Sequence, residues 1–132
     1  MFGKLSGILA FSKAYDLFSN ILTPEKRWLF FFEHRPGSKV LDIGCGPGNN
    51  AHHFLDANYT GVDLSRAYIE EATKKFSMHD NVRFVCSDAS IFLNGLRDTE
   101  KFDLIFMCGV LQQLSDKDAD DVLSSISRLV GT

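Results

Sequence analysis

An α/β fold, built on a doubly wound parallel sheet with helices on both faces, is predicted from three observations. Short runs of strand-forming residues alternate with segments of helical spacing. A glycine-rich turn at 44–48 follows the first strand and leads directly into a helix start. The near-continuous apolar run 102–108, broken only by Asp103, suits a strand covered on both sides. Right-handed crossovers then connect the parallel strands.

The elements follow in chain order. Residues 15–22 carry Leu17, Phe18, Ile21 and Leu22 at helical spacing. Thr23, Pro24 and Glu25 supply an N-cap, a first-turn proline and an acidic first turn, so a second helix runs from 24 to about 34. Its apolar stretch 28–32 is wide, because Phe30, Phe31 and Phe32 in succession cannot all face one core. Packing between the sheet and the N-terminal segment is the general expectation, with some of these rings left for a substrate, a lid or a partner. Pro36-Gly37 marks a turn before a strand at 39–43. Residues 54–57 end a helix, and 59–62 form the second strand. Ser65 caps a helix at 66–76, amphipathic through Ala67, Tyr68, Ile69, Ala72 and Phe76. The third strand is 82–86 and the fourth 102–108. Ser115 caps a last helix with Asp116 and Asp118 in its first turn, Val122, Leu123, Ile126, Leu129 and Val130 along one face, and Gly131 as C-terminal cap.

No repeat, low-complexity tract or Pro/Gly-rich linker divides the 132 residues, so they form one domain: a helical segment 1–35 and a core 36–132. A 45% hydrophobic, 23% charged composition is that of an ordinary globular protein. The net charge of -3 argues against nucleic acid as main partner, since phosphate favours a basic face. No run approaches the roughly 18 apolar residues of a membrane span, and the short apolar stretch after Lys4, interrupted by Ser and Gly, only faintly imitates a signal peptide. Cys45, Cys86 and Cys108 are odd in number and widely spaced, which argues for buried free thiols and a reduced, cytoplasmic setting. His34, His52, His53 and His79 lack metal-ligand spacing, and His52-His53 fall within a helix where adjacent side chains diverge. Asp116, Asp118, Asp120 and Asp121 read as a solvated face, with no metal expected.

The chemistry concentrates at 40–50, VLDIGCGPGNN. Glycines at 44, 46 and 48 let the backbone approach a ligand closely. A dinucleotide fingerprint spaces its glycines differently, and Asp42, two residues before the first, suits an ammonium better than a pyrophosphate. The ligand therefore carries a cation near Asp42.

This segment resembles the first motif of class I S-adenosylmethionine-dependent methyltransferases, and further matches follow in order. Gly61-Val62-Asp63-Leu64-Ser65 resembles the end of the family's second strand, whose acid takes both ribose hydroxyls. The run 82–89 resembles the third-strand motif, which meets the adenine amino group. The run 102–111 resembles the fourth, which passes near the reactive sulfonium, with Gln112-Gln113 where relatives often carry histidines. The resemblance implies a Rossmann-like fold and S-adenosylmethionine as cofactor. Its ligands would be Asp42, the turn at Gly44, Cys45, Gly46 and Gly48, then Asp63 with Leu64 and Ser65, Asp88 with Ala89, and Cys108 with Gly109. Tyr15, in a segment similar to one that small-molecule methyltransferases fold over the cofactor, is a further candidate.

Methyl transfer to a small, partly apolar acceptor is the implied activity. Tyr15 and His34 are conceivable bases, without a motif behind either. Family members have seven strands and this sequence reaches four, in the expected order 3-2-1-4, so the fourth strand forms an open edge. A fragment of a longer protein, an edge-paired dimer or completion by another chain would account for it. A non-catalytic binding module and a nicotinamide-dependent oxidoreductase are the alternative functions.

Overall fold

The computed structural model describes residues 34–107 and 114–131. The expected helices at 15–22 and 24–34, the phenylalanines 30–32, Tyr15, Cys108 and Gly109 lie outside these, His34 excepted. Four parallel strands, β1 (Lys39–Ile43), β2 (Asn58–Asp63), β3 (Val82–Cys86) and β4 (Leu104–Met107), form one sheet in the order β3-β2-β1-β4. A 3-10 turn (Ala51–Phe54) follows β1, and helices α1 (Arg66–Lys75), α2 (Ala89–Asn94) and α3 (Asp116–Leu129) follow β2, β3 and β4. Strand order and parallel direction agree with the sequence reading.

Side chains alternate across the strands and divide the core in two. On one face Leu41, Ile43, Val62, Ile105 and Met107 pack against Leu93 of α2 and Val122, Ile126 and Leu129 of α3. On the other, Val40, Tyr59 and Phe106 meet Ala51 and Phe54 of the turn and Phe76 at the end of α1. Burying an aliphatic side chain of this size contributes about 1.5–3 kcal/mol, so both faces of β1 hold it central. Ser65, Asp88 and Ser115 cap α1, α2 and α3, each accepting a backbone N–H three residues on.

Several expectations need correction. α1 ends at Lys75, and only Ile69, Ala72 and Phe76 face inward, because 69, 72 and 76 share a stripe that 67 and 68 do not; Tyr68 stands half exposed. The glycine turn opens only a short 3-10 turn, in which the rings of His52 and His53 lie 3.9 Å apart rather than diverging. The α2 helix has no counterpart in the sequence reading. β4 pairs with β1 only from Leu104; Phe102 instead bridges Val130 in parallel, its N–H bonded to Leu129 and its carbonyl to the Gly131 N–H. Val130, with extended backbone, therefore caps α3 in place of Gly131. Cys86 is exposed, not buried.

Candidate functional site

The strands deliver their carboxyl ends to one rim of the sheet, and β1 and β4 there diverge in connection direction, the switch point at which doubly wound folds open a crevice. At that rim β1 ends in the turn at 44–48. Gly44, Gly46 and Gly48 hold φ of 78°, 56° and 85°, the left-handed region that glycine enters without penalty. The backbone donors of this turn point into the protein. Val62 O accepts from Gly44 N at 2.7 Å and from Cys45 N at 3.0 Å, and Gly48 N donates to Cys45 O at 3.2 Å. Gly46 N donates to Asp63 Oδ2 at 2.9 Å, and Pro47 has no N–H.

The three glycines differ in what they face. A Cβ at Gly48 would lie 3.1–3.2 Å from Ala72, Phe76 and Phe84, so this glycine lets the turn sit tightly on α1 and β3. A Cβ at Gly46 would meet nothing within 4 Å, and Gly46 therefore faces the open side. Gly61 serves the turn from below: its missing side chain admits Cys45, whose Sγ would be 2.8 Å from a Cβ there. The Cys45 thiol donates to Gly46 O, and burial together with the charges of Asp42 and Asp63 pushes its pKa up, so it packs and does not ionise.

Asp63, at the end of β2, is partly buried and uses one lone pair of each oxygen internally, Oδ2 on Gly46 N and Oδ1 on Ser65 N, both at 2.9 Å. A carboxylate offers about four acceptor positions, so each oxygen keeps one for a ligand. Asp42 is fully buried. Its Oδ2 accepts the Tyr59 hydroxyl at 2.5 Å and its Oδ1 has no hydrogen-bond partner. Burial, partly offset by the Tyr59 hydrogen bond, pushes its pKa up to about 7, and Asp63 adds to the rise. An orphaned acceptor of this kind costs about 1–3 kcal/mol and marks a place where a donor is missing.

Two cavities flank the turn and share Gly44. One of about 800 Å³ is lined by Gly44, Cys45, Gly46, Gly48, His52, His53 and Lys75 among others. The second, about 300 Å³, collects Gly44, Asp63, Leu64, Asp88 and Ala89 with Ile43, Val62, Ser87 and Leu114. Sequence reasoning missed Ser87 and Leu114; Leu114 is legible only as the residue before the Ser115 cap. Ser65 acts as a cap and through its N–H, lining neither cavity. Asp88 Oδ1 is occupied in capping α2, accepting Ile91 N at 3.1 Å, which leaves Oδ2. Asp42 lines neither cavity either. His34 is placed at the wrong end for a base: it contacts Asp56 at 2.6 Å beside the first residues of β1 and β2. Among the described residues no group of three or more His, Cys, Asp or Glu is placed to hold a metal ion, and no helix is long and apolar enough to cross a membrane.

Fold and site thus define a doubly wound α/β domain with its cavities at the carboxyl ends of the strands, the smaller one at the ends of β1, β2 and β3. The chain belongs to the methyltransferase domain family, whose model matches residues 40–132. It is 34% identical over 87 residues to malonyl-[acyl-carrier protein] O-methyltransferase of Halalkalibacterium halodurans, covering 63% of this chain and 32% of that protein. The structure of PKMT2 from Rickettsia typhi in complex with AdoHcy superposes with a TM-score of 0.62 at 32% identity, over 73% of this chain and 19% of that one. A TehB-like SAM-dependent methyltransferase from Corynebacterium glutamicum gives a TM-score of 0.64 at 25% identity, over 96% and 68%. The chain spans about a third or less of the length of the first curated relatives it matches.

Proposed function

We propose that this chain binds S-adenosylmethionine where the two cavities meet at Gly44 and directs its methyl group to a small-molecule acceptor. The observation that carries the reading is the glycine turn, whose N–H groups at 44, 45, 46 and 48 are all satisfied within the protein while Asp42 and Asp63 stand beside it. A pyrophosphate at the turn would meet the carboxylates of Asp42 and Asp63 and none of the free backbone N–H groups that a phosphate-binding turn presents, which counts against a nicotinamide dinucleotide. A nucleoside bearing an ammonium and a sulfonium, and no phosphate, meets complementary charge. The family membership and the AdoHcy bound to the Rickettsia protein support the same ligand.

In this reading Asp63 accepts both ribose hydroxyls with its two remaining lone pairs. Leu64, 72% exposed, covers the adenine together with Ala89 and Leu114, and Asp88 Oδ2 takes the exocyclic amine. Asp42 Oδ1, buried and lining neither cavity, takes the charge of the ammonium through one intervening water. Gly46 leaves room for the chain of the ligand, and Tyr15, Cys108 and Gly109 complete the methionine end. When bound, S-adenosylmethionine supplies a sulfonium methyl that an acceptor lone pair takes by in-line displacement, the carbon–sulfur electron pair returning to sulfur. The protein's share is to hold donor and acceptor at near-attack distance, which for well-oriented groups accounts for about 7–11 kcal/mol of barrier. Segments outside the described core, 30–32 among them, would shape the acceptor site, in a cytoplasmic protein with a helical segment 1–35 before its core and a second chain on the β4 edge.

Calorimetric titration with S-adenosylmethionine and S-adenosylhomocysteine tests the reading, using the parent beside Asp63→Ala and Gly46→Ala. Binding by the parent, weakened at least about a hundredfold by loss of Asp63, is expected, since charge-assisted bonds are worth about 1.5–3 kcal/mol each. A folded parent that binds neither compound refutes it.

A further inference from the structure

Tyr59 is the second residue of β2 and pairs with Val40, yet its hydroxyl reaches diagonally to Asp42, whose direct neighbour on β2 is Gly61. Gly61 has no side chain on that face, and Cys45 and Phe84 take the space beside it. Both partners are buried to 1% exposure or less, and the contact is a short hydroxyl–carboxyl hydrogen bond of 2.5 Å. Rings of Phe54 and Phe84 flank the tyrosine, with centroids 5.9 and 5.8 Å away, and fix where its hydroxyl points. One oxygen of Asp42 is thereby held by the protein, and the other is left without a partner.

We propose that Tyr59 is a positioning residue for the cofactor site: its hydroxyl fixes Asp42 Oδ2 and favours the ionised carboxylate, so that Oδ1 takes the charge of the cofactor's ammonium through one water as Asp42 gives up a proton. This rests on the binding mode described above. Without a ligand, the buried Asp42 keeps its proton over much of the acidic and neutral range, because only one hydrogen bond opposes desolvation. A cation held at Oδ1 through that water supplies the missing stabilisation, and the proton leaves to solvent. The titratable groups that meet Asp42 among the described residues are Tyr59 and Asp63 from β2 and Cys45 from the turn; β4 brings only Phe106 alongside. The 3-10 turn packed on this face carries His52 and His53. A histidine would titrate in the same range, so the test must separate it from Asp42.

The experiment is calorimetry of S-adenosylmethionine binding between pH 5.5 and about 7.2, below the range in which the ligand's own α-amine titrates, in two buffers of different ionisation heat. For the parent, affinity should rise with pH up to about 7, approaching tenfold per pH unit on the acidic limb, and close to one proton should be released per ligand at pH 6. For Tyr59→Phe, whose Asp42 loses a charge-assisted bond, the rising limb should move up by about one to two pH units, so that affinity at pH 7 falls roughly tenfold or more while proton release persists. Asp42→Asn should bind weakly, with that proton release abolished. Far-ultraviolet circular dichroism confirms that each variant is folded; were Tyr59→Phe to unfold, proton release by the parent and its loss in Asp42→Asn would still decide. A binding parent that releases no proton, a release that survives Asp42→Asn, or a folded Tyr59→Phe that keeps the parent's profile overturns the proposal and leaves the binding reading standing. No binding by the parent at any pH overturns both.

Discussion

Replacing Asp42 by Asn should remove a pH dependence of folding that the empty protein carries. In an unfolded chain Asp42 titrates at its ordinary 3.8, whereas in the fold burial holds it at about 7. Between these values the native state binds the extra proton, so stability falls as pH rises. The contribution is neutral below about pH 4, declines through the interval, and levels above about pH 7. That displacement corresponds to roughly 4 kcal/mol in all, of which about 2.5 kcal/mol falls between pH 5 and pH 8. With a urea slope of about 1–3 kcal/mol/M for a domain of this size, the parent's midpoint should drop, relative to the variant's, by about 0.8–2.5 M over that range. Asn has nearly the same shape and can accept the Tyr59 hydroxyl, but carries no charge; its amide adds a constant cost that pH does not change. The informative quantity is therefore the difference between parent and variant at pH 5 and pH 8, measured by urea denaturation. A difference that stays constant across that interval would show that Asp42 is not desolvated as described.

Three further outcomes test the scaffold. Gly61→Ala should cost about 1–3 kcal/mol in denaturant titrations, because the new Cβ falls 2.8–2.9 Å from Cys45 and Phe84, and adding Cys45→Ala should recover only part of it, since the Cβ of residue 45 is itself 2.9 Å away. Arg128 of α3 bonds Leu93 O at 3.0 Å and Leu96 O at 3.2 Å, closing the carboxyl end of α2, so Arg128→Met should cost about 1–3 kcal/mol. Asp98→Ala should cost less than about 1 kcal/mol by the same measurement: its contact to Arg128 is short, but the carboxylate is 80% exposed.

The strand positions, the capping serines 65 and 115 and the placement of Gly46 and Asp63 at one rim were legible from local signals, namely periodicity, a hydroxyl before a helix and glycines after a strand, whereas the strand order came from the family resemblance. What escaped depended on contacts distant in sequence. The α2 helix is six residues with Ile91, Phe92 and Leu93 in succession, too short to show a period, and its strongest signal, Asp88 as N-cap, was assigned to a ligand instead. The turn after Gly48 stays a single 3-10 turn: Asn50, a residue type favoured as an N-cap, makes no side-chain capping bond there, and none of its first residues is acidic. Asp63's hold on Gly46 spans 17 residues and could not be read from spacing. The Asp42–Tyr59 pair was within reach, since strand alternation and the parallel register place both on one face, but it required the register between β1 and β2.

The two acids divide the work of the site by how they are solvated. Asp63 is partly buried, engages two backbone donors and keeps acceptor capacity at the cavity wall, so it can shape the turn and still meet a neutral, hydroxyl-bearing ligand. Asp42 is sealed beneath the same turn with a single donor, and its ionised form destabilises the fold that surrounds it. Such a group is retained at a cost in stability that hydrophobic packing at the same place would not incur. A cationic ligand reverses that cost, because binding only the folded state stabilises it in proportion to ligand concentration. The same carboxylate that lowers the stability of the empty domain above pH 4 is thus the one through which a cation would raise it, and an anionic ligand would find no such gain. Selection of charge at this site follows from what the glycine turn does not offer, free N–H groups, as much as from what the acids do.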